Sequence, residues 1–131
     1  MAFMIHSTGD NRVPLNVRVP CGAVTPEVGM AMVLTGGVLT KAAGTTKPTH
    51  ISMREQDTPC TSGDMIYAIR AESDITFETT FAADPAALKV GDKVTIHTDG
   101  CQVTATTASG VAEIVDILEA KAGGKVLVRF P

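Results

Sequence analysis

Two stretches of the chain follow one template, and that template is a β-hairpin. Pro26-Glu27-Val28-Gly29-Met30-Ala31-Met32-Val33-Leu34 runs into Thr35-Gly36-Gly37 and leaves through Val38-Leu39-Thr40. Leu88-Lys89-Val90-Gly91-Asp92-Lys93-Val94-Thr95-Ile96 runs into His97-Thr98-Asp99-Gly100 and leaves through Cys101-Gln102-Val103-Thr104. Glycine supplies the positive φ that a tight turn needs, and Gly-Gly and Asp-Gly between apolar runs are the strongest local hairpin signals. The likeness of the two stretches reads either as an internal duplication or as one turn chemistry used twice. Both readings demand a β scaffold.

The rest of the chain agrees. Residues 13–19 alternate, with Val13, Leu15, Val17 and Val19 on one side and Pro14, Asn16 and Arg18 on the other, which predicts a half-buried strand. Pro14 and Pro20 confine that strand to an edge or bound its ends. Short strands are expected over 50–54 and 65–70. Ile75, Phe77, Thr79 and Phe81 alternate against Thr76, Glu78 and Thr80 in the cleanest strand pattern of the chain. Asp84-Pro85 pairs an N-cap residue with proline at the first helical position, so one short helical turn is expected near 84–88. Residues 111–118 fit helical spacing as well as a β-branched strand. The strand is preferred, because Gly123-Gly124 and the alternating Lys125-Val126-Leu127-Val128-Arg129-Phe130 would complete a closing hairpin.

This gives an all-β protein: a small single-domain β-barrel or β-tulip-like sandwich over 13–131, preceded by an N-terminal arm over 1–12. With 131 residues there is room for one modest core. Aromatics make up 4%, so the core is expected to rest on Val, Ile, Leu, Met and Ala. The net charge of −3 and the scattered basic residues argue against a nucleic-acid partner. No run of residues reaches membrane-spanning length, and the apolar start of the chain is too short for a signal peptide. No membrane partner is expected, and synthesis in a cytoplasm is.

No catalytic constellation stands out. Cys21, Cys60 and Cys101 are odd in number and far apart, and are read as reduced, buried small hydrophobes. His6, His50 and His97 lack the close ligand pairs of a structural zinc site, the nearest approach being His97 and Cys101. Ser62, in Thr61-Ser62-Gly63-Asp64, is a turn residue without the flanking glycines of a nucleophile elbow. Glu72 and Asp74 read as a solvated turn. The expectation is therefore no metal, no cofactor and no enzyme.

In layout, Val19-Pro20-Cys21-Gly22-Ala23-Val24, Val28-Gly29-Met30-Ala31-Met32, Gly37-Val38-Leu39-Thr40-Lys41-Ala42, Lys47-Pro48-Thr49-His50-Ile51-Ser52 and the closing Gly124-Lys125-Val126-Leu127-Val128-Arg129-Phe130 resemble the head decoration (cement) proteins of tailed bacteriophages. The resemblance implies a structural virion protein made in the host cytoplasm. It would bind the major capsid protein on the outer surface of an expanded capsid as a homo-oligomer, commonly a homotrimer. It brings no catalytic residues. Contacts with capsid or subunit are assigned by position to Phe3, Met4, Ile5 and His6 in the arm and to Arg12 and Arg18. Phe3 and Ile5 could equally cap the domain's own core. Two other readings stay open: a β-barrel adaptor or tail component of a phage-like particle, and a ligand-binding or enzymatic barrel that uses its Cys and His residues.

Overall fold

The computed structural model describes residues 2–9, 13–61 and 63–131. Ten strands form two antiparallel sheets of five, and no α-helix occurs among the described residues. In chain order they are β1 (Met4–Thr8), β2 (Asn16–Pro20), β3 (Ala31–Thr35), β4 (Val38–Lys41), β5 (His50–Ser52), β6 (Met65–Arg70), β7 (Ile75–Thr80), β8 (Lys93–Val94), β9 (Ala112–Ile117) and β10 (Lys125–Arg129). The first sheet runs β1-β7-β10-β9-β8 and the second β2-β6-β5-β3-β4. The body is thus a two-sheet sandwich. Isolated bridges at Cys21↔Leu39, Phe81↔Val103 and Ile96↔Val103 draw margins together without a continuous barrel ladder.

The first template folds as expected. Thr35 pairs with Val38 across a two-residue loop, and Gly36 and Gly37 sit at φ of 60° and 85°, the pair of left-handed conformations that such a turn requires. The second is less regular. Lys93 and Val94 pair with Glu113 and Ala112 of β9, and the hairpin proper is carried by single bonds, His97 N–H to Gln102 O (2.8 Å) and Thr104 N–H to Thr95 O (3.0 Å). Asp99 Oδ1 accepts the amides of Cys101 (2.8 Å) and Gln102 (3.2 Å) and so shapes the turn. Residues 112–117 are a strand that closes on β10, as preferred from sequence.

Two expectations are corrected here. Residues 84–88 form no helical turn: Ala86 has φ of +46°, its amide is held by Asp84 Oδ1 (2.9 Å), and Leu88 N–H closes the turn on Pro85 O (2.9 Å). A left-handed residue at that place stops a right-handed helix before its first turn is complete. The strand expected over 13–19 starts only at Asn16, and Val13 and Leu15 are 85% and 82% exposed, because the second sheet offers them no pairing neighbour. Of the two places open to the N-terminal segment, its own domain or a neighbour, the described part lies on its own domain. β1 pairs with β7, Ile5 opposite Phe77 and Thr8 opposite Ile75, with a bulge between Ile5 and Ser7.

Burial divides into two clusters. The larger joins the inner face of the first sheet to one row of the second, where Ala31, Ile51 and Ile69 stand side by side across β3, β5 and β6. All four phenylalanines lie in this cluster, so the core does not rest on aliphatics alone. Phe3, Phe77 and Phe130 pack edge to face or tilted at 5.3–6.5 Å between centroids. The smaller cluster lies against the opposite face of the second sheet. It gathers Val19, Met32, Leu39, Ile66 and Ala68 with all three cysteines. Cys21 and Cys60 form a disulfide, their Cα atoms 6.0 Å apart, and only Cys101 remains a thiol. The expectation of three reduced thiols fails because β2 and the 53–64 loop meet across 39 residues of chain, a contact that no local spacing announces.

Candidate docking surfaces

Along β6, Ile66 and Ala68 face the small cluster, while Met65, Tyr67 and Ile69 share the other face. Ile69 is buried in the main core, but Tyr67 is 57% exposed and Met65 41%. Coverage by the first sheet therefore ends between Ile69 and Tyr67. Arg18 of β2 stands opposite Tyr67 in the ladder and on the same face. The other wall is the 53–64 loop, which brings Arg54 to the open end of β6. Together these residues line a groove of about 630 Å³.

Residues 53–60 of the loop are well fixed. Met53 N–H bonds Tyr67 O (2.9 Å), Gln56 N–H bonds Pro26 O (3.1 Å) and Cys60 N–H bonds Val24 O (2.9 Å). Arg54 Nε donates to Gln56 Oε1 (3.2 Å), and Gln56 Nε2 donates to Thr58 O (2.8 Å). The disulfide ties the same loop to the end of β2. Asp64, the acidic side chain of the groove, is turned to the loop itself: its Oδ2 accepts the Thr61 amide (2.8 Å) and hydroxyl (3.3 Å).

A second exposed area lies where the end of β1 and the start of β2 come to the two sheet edges. β1 is an edge of the first sheet and β2 of the second. Ile75, opposite Thr8, also lines a shallow apolar groove of about 330 Å³ under Val13, Leu15 and Val17. Met4, 56% exposed, and Ile5 extend the apolar side chains along β1.

Of the residues assigned to contacts from sequence, Met4, Ile5 and His6 are exposed on β1 and Arg18 is exposed on β2. Phe3 is 1% exposed and belongs to the core. Arg12 and Ser62 lie outside the described residues. Sequence reasoning missed Arg54, Met65 and Tyr67. The signal that finds Met65 and Tyr67 is the β2–β6 register, which sets Arg18 opposite Tyr67, whereas Arg54 arrives with the loop bonded from Met53 N–H to Tyr67 O, and no single segment contains both.

The groups weighed for chemistry are scattered. Among the described residues no three His, Cys, Asp or Glu side chains converge as a metal site. His50 is buried on β5, its Nδ1 2.8 Å from Thr49 Oγ1, and burial, with the positive charge of Arg70 adding to it, lowers its pKa below the ordinary 6.5. The Cys101 thiol donates to Glu27 Oε2 (3.3 Å) and not to His97. Burial, and then that bond and the carboxylate charge, push it up to about 12, so it is a protonated, unreactive thiol. Among the described residues no helix is long and apolar enough to cross a membrane. Neither a scan against protein-family models nor a search of curated proteins finds a match for this chain.

Proposed function

We propose that this chain is a non-catalytic structural protein of a tailed-phage particle, a decoration protein that binds the major capsid protein on the outside of the expanded shell as a homotrimer. The observation that carries the reading is the row of exposed apolar side chains along the two sheet edges among the described residues. A domain of 13.6 kDa leaves Met4, Ile5, Val13 and Leu15 exposed beside its two open sheet edges. Apolar side chains gathered at an edge call for cover by another chain. The bridges at Cys21↔Leu39, Phe81↔Val103 and Ile96↔Val103 favour a sandwich curled toward a barrel of the tulip kind, the body that the resemblance implies.

The disulfide supports the location. Such bonds persist at virion surfaces and seldom in a reducing cytoplasm, so a crosslink that closes after release suits a protein whose work is on the particle. The mechanism is linkage. A ligand that binds only the expanded state stabilises it by about 2.7 kcal/mol per site at a hundredfold excess over Kd, and many sites on one shell multiply the effect.

The test is sedimentation of the purified protein with undecorated, expanded capsids. Pelleting at micromolar concentration, with a solution mass by light scattering near three times 13.6 kDa, supports the reading. Protein that stays in the supernatant overturns it.

A further inference from the structure

We propose that the groove between β2, β6 and the 53–64 loop is a preformed docking site for an extended, acidic peptide segment of a partner protein. The inference goes beyond the decoration reading and does not need it, since any partner that offers such a segment would serve.

Three observations carry it. First, the residue types are those that interfaces concentrate. Arg, Tyr and Met are enriched at interfaces, Arg and Tyr also at binding hot spots, and here Arg18, Arg54, Tyr67 and Met65 meet in one depression. Tyr67 is the only tyrosine of the chain. Second, the charge is complementary to carboxylates and unspent. In a chain of net charge −3 the groove holds two guanidinium groups. Neither forms an ion pair with a described residue, and Asp64 is turned to Thr61. A planar guanidinium takes a carboxylate through two parallel hydrogen bonds. Third, the walls are built before any ligand arrives. The floor is a sheet, and the loop is held by the Arg54–Gln56–Thr58 bonds and by the disulfide, so little ordering cost falls on binding. The groove runs beside β2, where Pro20 withdraws an amide donor from the edge. Recognition therefore falls to side chains and not to an added strand. Two arginines on an acidic chain suit a few carboxylates better than a polyphosphate backbone.

The chain has no tryptophan, so tyrosine fluorescence reports on this groove alone. The probe is a hexaglutamate peptide, with hexaglutamine and a single-stranded oligothymidylate as comparisons, each titrated into the disulfide-bonded protein. The expected result is saturation by hexaglutamate with a Kd below about 1 mM. Saturation should weaken at least about fivefold when salt rises from about 0.05 to 0.5 M. It should fall by about fivefold or more in R18E/R54E, a variant at two exposed positions, which should instead respond to hexalysine. Absence of saturation, an equal response to hexaglutamine, indifference to salt, or tighter binding of the oligothymidylate overturns the proposal. Because isolated protein and free peptide are used, the result is independent of whether capsids are bound.

Discussion

The main core and the small cluster share out the large side chains of this protein almost without overlap. The first holds all four phenylalanines and no cysteine; the second holds all three cysteines, Met30 and Met32, and no aromatic ring. They also differ in what surrounds them. The main core draws its buried residues from both sheets. The small cluster has a sheet on one side and loops on the other, and one of those loops is covalently anchored. A core of about seventeen buried residues can hold itself by packing, whereas one of about nine gains from a crosslink that removes unfolded-state freedom. The lesson is that one small domain uses two kinds of stabilisation, and each can be removed separately.

Phe77→Ala should give the largest effect. The ring is fully buried, with Phe130 at 5.7 Å and Phe3 at 6.5 Å, and little can move in to replace it. A loss of about 3–5 kcal/mol in urea unfolding is expected. A loss below about 1 kcal/mol would mean that the aromatic trio does not organise the main core.

The disulfide comes next. The pair Cys21→Ala and Cys60→Ala should cost about 2–4 kcal/mol, in keeping with a closed loop of 39 residues. The sharper measurement is hydrogen exchange on wild-type protein before and after reduction. The amides of Cys21 and Cys60, bonded to Asp64 O and Val24 O, should lose protection, while those of β7 and β10 keep it. Equal loss in both places would show one cooperative unit and erase the distinction between the cores.

The two regions were also unequally legible in the sequence. The main core could be read locally: Ile75, Phe77, Thr79 and Phe81 alternate into it, and 112–117 and 125–129 close as the Gly-Gly turn suggests. Period-two burial is a property of one segment, so one segment reveals it. The small cluster depends on what is far away. That Cys21 bonds Cys60 and leaves Cys101 free follows from where the 53–64 loop lies. The alternation of Val13, Leu15, Val17 and Val19 predicts one buried face, but only Val17 and Val19 meet the cluster and the strand starts at Asn16, because sequence does not say where a partner sheet stops. Asp84-Pro85 begins a helix and an Asx turn with the same local signals, and the left-handed Ala86 decides for the turn. The docking groove was half legible for the same reason. Arg18 stood out by position, whereas Met65 and Tyr67 join it only once β2 is laid on β6, and Arg54 only once the loop after β5 bonds Tyr67.

Gly110→Ala probes the rim of the main core. A methyl group there would collide with the Lys93 carbonyl where 110–111 passes β8, and backbone must shift to admit it. Such overpacking should cost about 1–3 kcal/mol in thermal or urea unfolding, with the small cluster's exchange protection unchanged. A neutral substitution would show that the β8–β9 end of the sheet is loose.

The smallest effects are those of pH, and they have opposite signs because the two titrating groups are perturbed in opposite senses. His50 has a folded pKa below 6.5, so the unfolded chain binds the proton more readily. Its contribution to stability is present above 6.5 and is lost as pH falls through the lowered value. Cys101, in the small cluster, has a folded pKa near 12 against an ordinary 9.0. Its contribution is complete below 9.0 and declines as pH rises toward 12. His50→Gln should flatten the acid limb of a stability–pH profile and leave the alkaline limb in place; Cys101→Ala should do the reverse. Cys101 is within the disulfide's cluster, so the alkaline limb is measured on Cys101→Ala against wild type at equal extents of disulfide formation. An alkaline limb that persists without Cys101 would assign it to another group and remove the thiol–Glu27 contact from the account of what holds the small cluster together.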